Sequence, residues 1–380
     1  MAEAAQVHQP APEPVNTSPA APANTDISQL PVTPGGITAH WLSSVLKTKI
    51  NSIEITKIIW GTASKALVTI SYDDHAGDDA GQGVGRPTHI CIKGTFDPAL
   101  VEQVPFIVSM YQREVDFFNR LAPTLEHMTL PKTLWAGHTS KQGIVIMEDL
   151  TARGLAFCNT KEDWPVSRVL LGVEQLAALH AKAWGAQAAD YPWLTSSYES
   201  ALFSLVQNYD VITRSPGRPE IPEGLMDQKR VEAAMRKAYR SRNPKFECIV
   251  HGDAHIGNTY LENGEPRFID FQLVMVWSAF HDVAYFVSGA LSIEDRRAHE
   301  WEIVEHYLKS LHKLGGPSFS SKDEEVTIEY RMSLIAGIGW IVCPTSFQSL
   351  EMISPMCVRH AMALDDHKTL ELIESLPDIE

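Results

Sequence analysis

The stretch Cys248-Ile-Val-His251-Gly252-Asp253-Ala254-His255-Ile256-Gly257-Asn258-Thr259-Tyr260-Leu261-Glu262-Asn263-Gly264-Glu265-Pro266-Arg267-Phe268-Ile269-Asp270-Phe271-Gln272 decides the reading of this chain. Asn263-Gly264 stands between two short apolar runs, and Asn-Gly favours a two-residue type I′ hairpin turn. The register of such a turn sets Asn258 opposite Ile269 and next to Asp270. The fold-back therefore gathers Asp253, the Asn258 amide oxygen and the Asp270 carboxylate at one end of one hairpin. Two carboxylates and an amide oxygen are hard ligands, suited to Mg²⁺ bridging phosphates.

Upstream, Ile53–Trp60, Lys65–Tyr72 and His89–Gly94 are rich in β-branched residues and read as strands. A short helix is expected over Ala39–Leu46. Gly61-Thr62-Ala63-Ser64 reads as a turn between the first two strands, and Asp73–Pro87 as a solvated loop. Pro105–Leu121 has helical spacing, with Phe106, Met110, Phe117, Phe118 and Leu121 on one stripe. Lys132–Gly137 and Gly143–Glu148 are two further strands. Beyond Asp149 the pattern turns helical, over Ser167–Gly185, Ser197–Thr213, Met226–Ser241, Ser278–Leu291, Glu294–Leu314, Asp323–Ile341 and Gln348–Glu374. The expected fold class is α+β. A Pro/Ala-rich disordered tail (1–36) precedes a β-rich lobe (37–150) and a larger helical lobe (151–380).

The 380 residues carry a net charge of −15. That balance argues against nucleic acid and anionic membranes as partners, because both select basic faces. Eleven of those net negative charges lie in residues 1–36, 73–87 and 365–380, so the acidity is weak evidence for a cationic ligand. Five dispersed cysteines, none in a C-x-x-C pair, imply reduced thiols and a cytoplasmic location. No apolar run reaches the ~18 residues of a membrane span. The N-terminal stretch lacks the basic-then-apolar pattern of a secretory signal.

His251-Gly-Asp253-x-His255-x-x-Asn258, followed by Ile269-Asp270-Phe271, resembles the catalytic and metal loops of aminoglycoside phosphotransferases and choline kinases. These are small-molecule relatives of the protein kinases. Ile269–Leu273 with Ala279-Phe-His-Asp282-Val-Ala-Tyr-Phe286 resembles most the ecdysteroid kinase-like branch, and Leu176–Trp184 is similar to the helix that precedes the family's catalytic loop. The resemblance implies a two-lobed protein-kinase-like fold that binds ATP and Mg²⁺ and phosphorylates a hydroxyl of a small organic acceptor. It implies that Asp253 is the catalytic base and that Asn258 and Asp270 hold the metal. Lys93 is the candidate cation for the phosphates, with Glu114, otherwise a costly carboxylate on an apolar stripe, as its partner. Gly61, Thr62 and Ser64 would cover the phosphates, while Met147, Glu148 and Leu150 would meet the adenine. The sequence departs from protein kinases in having Asp270-Phe-Gln272, a single glycine in the phosphate turn and no Ala-Pro-Glu element.

Two other readings stay open at this stage. His251, Asp253 and His255 could form the metal site of a hydrolase, with His281 and Asp282 nearby. The chain could also be a catalytically silent kinase-like binding module. His180 reads as a core histidine, Asp282 as an anchor of the loop, and Trp277 as a possible wall of a substrate site.

Overall fold

The computed structural model describes residues 30–61, 64–72, 86–194 and 198–377. Helix α1 (Ala39–Leu46) is followed by strands β1 (Ile50–Ile59), β2 (Ser64–Tyr72) and β3 (His89–Gly94). Helices α2 (Pro98–Gln103) and α3 (Ile107–Asp116) precede strands β4 (Thr133–His138) and β5 (Gly143–Glu148). These five strands form one antiparallel sheet in the order β1-β2-β3-β5-β4. Side chains alternate across a strand, so the sequence assigns the two faces. Ala66, Val68, Ile70, Ile90, Ile92, Ile144 and Ile146 pack with Leu42 and Val45 of α1. The residues between them, Lys65, Leu67, Cys91, Lys93 and Met147, face the other side, toward the helical region.

That region begins with β6 (Ala156–Phe157) and helices α4 (Val166–Lys182), α5 (Tyr198–Val206), α6 (Tyr209–Thr213) and α7 (Gln228–Arg240). Strands β7 (Glu247–Val250), β8 (Thr259–Glu262), β9 (Glu265–Phe268) and β10 (Met275–Ser278) interrupt the helices. Helices α8 (Ala279–Ala290), α9 (Ile293–Lys313), α10 (Glu324–Ser333), α11 (Ile338–Ile341), α12 (Leu350–Asp366) and α13 (Thr369–Ser375) complete it. Every residue of α8 is buried. A helix enclosed on all sides is the spine of a helical core. An antiparallel sheet followed by a helical region is the protein-kinase-like arrangement expected from the sequence. No helix among the described residues is long and apolar enough to cross a membrane.

The structure revises several expected elements. Residues 1–29 of the expected tail lie outside the described residues, as do most of the 73–87 loop and Thr62 and Ala63 of the turn. At the end of the expected tail, Leu30 and Pro31 are buried and Pro34–Gly36 forms a short 3-10 turn. The Gln142 amide donates to Pro31 O at 2.8 Å. A composition average over 36 residues hides these few packed ones. Helix α2 was missed, although Asp97 caps it by accepting from the Ala99 and Leu100 N–H groups. The expected 105–121 helix is α3 plus a wider π-type turn at Phe117–Leu121. There Phe117 stacks flat on Phe271, with centroids 4.0 Å apart. The expected 323–341 helix is interrupted by a tighter 3-10 turn over Leu334–Gly337, at the end of which a Cβ on Gly337 would come within 2.7 Å of the His360 ring. Strand β10 was not expected, and Ser278, expected to begin a helix, ends that strand while capping α8 through Phe280 N–H.

Helix α10 carries Glu329, which is only 2% exposed. Its Oε2 accepts from Asn243 N–H at 3.4 Å, while Oε1 has no partner among the described residues. Burial pushes the carboxyl up to about 7. A raised folded-state pKa means that the native state binds the proton more tightly than the unfolded chain. The resulting stabilisation is complete below the ordinary glutamate value of about 4.3 and is lost as pH rises through about 7. Between pH 5 and 8 the urea midpoint should therefore fall further for the native protein than for Glu329→Gln. Equal slopes for the two would refute this assignment.

Candidate active site

The Asn263-Gly264 turn has φ of 54° and 81°, the two left-handed residues of a type I′ turn. It pairs Thr259 with Phe268 and Tyr260 with Arg267, and the Ile269 N–H donates to Asn258 O at 2.9 Å. This is the register expected from the sequence. The Asn258 Nδ2 donates to the backbone oxygen and to Oδ2 of Asp253, both at 3.0 Å. Tyr285 of α8 donates its O–H to the other carboxylate oxygen, Oδ1, at 3.4 Å. Burial opposes ionisation of Asp253, but the adjacent His255 and His251 hold its carboxyl below the usual range.

Asp270 follows the hairpin with φ 70° and ψ 64°, a left-handed conformation that few residues other than glycine adopt. Strained backbone of this kind persists where its surroundings over-determine it. Here the restraint is electrostatic. Lys93 of β3 reaches Asp270 Oδ1 at 2.9 Å and the Glu114 carboxylate of α3 at 2.8 Å. Glu114 also accepts from the Phe271 N–H at 3.2 Å. Lys93 and Glu114 are 3% and 1% exposed. Burial alone would pull the Lys93 ammonium down, but Asp270 and Glu114 hold it above the ordinary lysine range. Burial would likewise raise Asp270, whereas Lys93 and Lys65 keep it below the usual carboxylate range.

A second group of residues holds the loop itself. Asp282 of α8 is fully buried and accepts from the N–H groups of His251 (2.6 Å) and Gly252 (2.9 Å). His180 Nε2 donates to it at 3.1 Å, and the far ring nitrogen accepts from the Tyr307 hydroxyl. Gly252 has φ 82°, and a Cβ there would lie 2.2 Å from Leu273 O. His251 donates from Nε2 to Ile269 O and accepts at Nδ1 from Asp253 N–H. His255 Nδ1 accepts from Gly257 N–H. Both histidines therefore shape the loop. Among the described residues, no three His, Cys, Asp or Glu side chains converge as a metal site.

Two cavities meet at this loop. One, of about 280 Å³, lies under the sheet and is lined by Ile59, Lys65, Leu67, Cys91, Lys93, Met147, Glu148, Leu150, Asn258 and Asp270, among others. The other, of about 260 Å³, is lined by Leu100, Val104, Phe106, Ile107, Met110, Leu202, Leu205, Trp340 and Phe347, among others, with Asp253, His255, Tyr285, Arg113 and Gln348 as its polar groups. Asn258 and Asp270 thus face the first cavity, and Asp253 faces the second. The sequence-predicted Lys93, Glu114, Asp253, Asn258 and Asp270 are brought together, and Met147, Glu148 and Leu150 line the first cavity. Gly61 is exposed, Ser64 is buried beside Gly94, and neither lines that cavity. Thr62 lies outside the described residues. Trp277 lines neither cavity. It stacks under Arg242, whose guanidinium lies 3.5 Å from the ring centroid. Sequence reasoning missed Tyr285 and Lys65 as site residues. Helical spacing from the loop anchor Asp282, three positions earlier in α8, could have found Tyr285.

The donor set fits a hard cation. Asp270 offers a carboxylate, and Asn258, with its Nδ2 committed to Asp253, offers an amide oxygen on the same cavity. Two oxygen donors do not saturate Mg²⁺, which leaves positions for phosphate oxygens and water.

Residues 68–315 match the ecdysteroid kinase-like family. Among solved structures, the chain is similar to a choline kinase from Cryptosporidium parvum Iowa II, at 14% identity and a TM-score of 0.46. The match covers 85% of this chain and 90% of that one. It is similar to a spectinomycin phosphotransferase solved with ADP and spectinomycin (12% identity, TM-score 0.47, covering 88% and 97%). It is also similar to a choline kinase from Streptococcus pneumoniae (13%, 0.46, covering 87% and 97%). No curated protein matches the sequence.

Asp282→Ala would leave two loop N–H groups and His180 without their buried acceptor. Removing one member of a buried charged network costs about 3–5 kcal/mol. A loss of that size in chemical denaturation is expected, and a loss below about 1 kcal/mol would contradict the anchoring role.

Proposed function

The chain belongs to the ecdysteroid kinase-like family, within the superfamily of aminoglycoside phosphotransferases and choline kinases, and on that premise we propose an ATP-dependent, Mg²⁺-dependent small-molecule kinase. It transfers the γ-phosphate to a hydroxyl of an uncharged acceptor with a largely apolar body. The observation that carries this reading is the division of the catalytic loop. The residues suited to a metal and to phosphates face one cavity, and the carboxylate suited to a hydroxyl faces the other.

In this reading the adenine lies between Leu67, Cys91 and Met147, against the Met147–Leu150 segment. Lys93, aimed by Glu114, neutralises phosphate charge. Mg²⁺, held by Asp270 and Asn258, would offset the charge of the transferring group and the ADP leaving group. Asp253 has Oδ2 committed to Asn258, so Oδ1 receives the acceptor hydroxyl. The hydroxyl oxygen forms its bond to the γ-phosphorus, the bond to the β–γ bridging oxygen breaks, and the hydroxyl proton passes to Asp253. Asp253 stays ionised at neutral pH, as a proton acceptor requires. Tyr285 keeps that oxygen directed at the acceptor cavity.

The acceptor class follows from the lining. Asp253 is the only carboxylate among the residues lining the second cavity, and it is the base itself. A polycationic aminoglycoside would find no further carboxylate among those residues. An apolar body would instead desolvate against Leu100, Ile107, Met110, Leu202 and Trp340, at about 25 cal/mol per Å² of apolar area removed from water. The hydrolase reading asks His251 to ligate a metal, yet both its ring nitrogens are bonded to backbone.

The test is ADP formation from Mg-ATP over a panel of hydroxylated sterols, long-chain alcohols, sugars, choline and kanamycin. Turnover is expected with the uncharged apolar alcohols and should fall at least about 100-fold in Asp253→Asn, with Mg-ATP binding retained. If Mg-ATP neither binds nor stabilises the protein and the panel yields no ADP, the reading is wrong.

A further inference from the structure

The turn that precedes β2 contains a single glycine, Gly61, between Ile59 and Ser64. It therefore lacks the repeated glycines with which a backbone cradle approaches phosphates closely. The cation beneath it is also offset. Lys93 is paired at hydrogen-bond distance with two carboxylates, Glu114 and Asp270, so the three groups together carry −1. A polyphosphate entering this cavity meets no net positive charge from them.

The strand register supplies the missing cation. Lys65 is the direct partner of Lys93 across β2–β3 and of Ile59 across β1–β2. Directly paired residues project from the same face of a sheet, and Ile59, Lys65 and Lys93 all line the nucleotide cavity. Two lysines directly opposite one another destabilise a sheet unless anions offset them. Lys93 is paired with Glu114 and Asp270, and the charge of Lys65 acts on both carboxylates. With Lys65 counted, the group of four becomes neutral. Lys65 stands at the base of the glycine-poor turn, where a cradle would otherwise supply backbone N–H groups. It is only half-buried.

We propose that Lys65 is a second phosphate-binding cation, which does with one side chain what a glycine-rich turn does with backbone N–H groups. The proposal rests on the nucleotide reading of this cavity. It concerns binding of the phosphates rather than of the base, and that distinction makes it separable from the reading beneath it.

Calorimetric affinities for Mg-ADP and for adenosine, on wild type, Lys65→Met and Lys65→Arg, test it. Methionine keeps most of the side chain's length and apolar stem, so folding is preserved while the charge is removed. Lys65→Met should weaken Mg-ADP about 10-fold, the scale of one charge-assisted contact. It should leave adenosine within about twofold, and its Mg-ADP affinity should depend less steeply on salt. Lys65→Arg should recover most of the lost affinity. If Lys65→Met binds Mg-ADP as tightly as wild type, or loses Mg-ADP and adenosine in equal measure, the role of Lys65 is refuted while the nucleotide site stands. If wild type binds neither ligand, the nucleotide reading falls and takes this proposal with it.

Discussion

Lys93 holds the site together. Its ammonium joins Glu114 on α3 to Asp270 beyond the Asn263-Gly264 hairpin, so one buried cation ties the sheet, the helix and the loop. Charges so far from water are tolerated only when paired and hydrogen-bonded. Each member of this trio answers a cost incurred by another. Glu114 would be an uncompensated carboxylate on an apolar stripe, and Asp270 would sit in a strained backbone conformation with nothing to hold it. The Phe271 N–H and the flat stack of Phe271 on Phe117 fix the same junction from its apolar side.

The second constraint is the buried Asp282, which grips the loop at His251 and Gly252 from beneath while His180 and Tyr307 support it. Together the two networks set the His251–Asn258 loop between two cavities of different character. One carries cations and oxygen donors under the sheet. The other is largely apolar and is assembled from α2, α3, α5, the segment from Gly339 to Gln348, and Asp253, His255, Leu273 and Tyr285 beside the loop. Asp253, Asn258 and Asp270 lie at their junction, at one end of the hairpin, and under the proposed function a phosphoryl group passes there from one side to the other.

Much of this was legible in the sequence because its signals are local. Asn263-Gly264 dictates its own turn type, and the hairpin register then brings Asn258 next to Asp270. Helical periodicity placed Glu114 on the buried stripe before any partner was visible. Three strand or helix boundaries, those of α1, β3 and β5, fall where alternation and turn residues put them. What was not legible depends on distant contacts. The changes of helix type at Leu334–Gly337 and Phe117–Leu121 pack against His360 and Phe271, residues that come later in the chain and carry no local signal there. The second cavity is lined from six separated stretches, and outside the 253–285 region none of them carries a signal of its own. Lys65 was read as part of a strand, because only pairing with Lys93 reveals which way it faces.

The account's central claim is that the hairpin stands between a nucleotide and an acceptor. The most direct measurement is a crystal structure with Mn²⁺ and a non-hydrolysable ATP analogue. The account predicts anomalous density for the metal at Asp270 and Asn258, the adenine against Met147–Leu150, and the terminal phosphate turned toward Asp253. A metal bound away from Asp270, or an analogue whose terminal phosphate points away from Asp253, would contradict it.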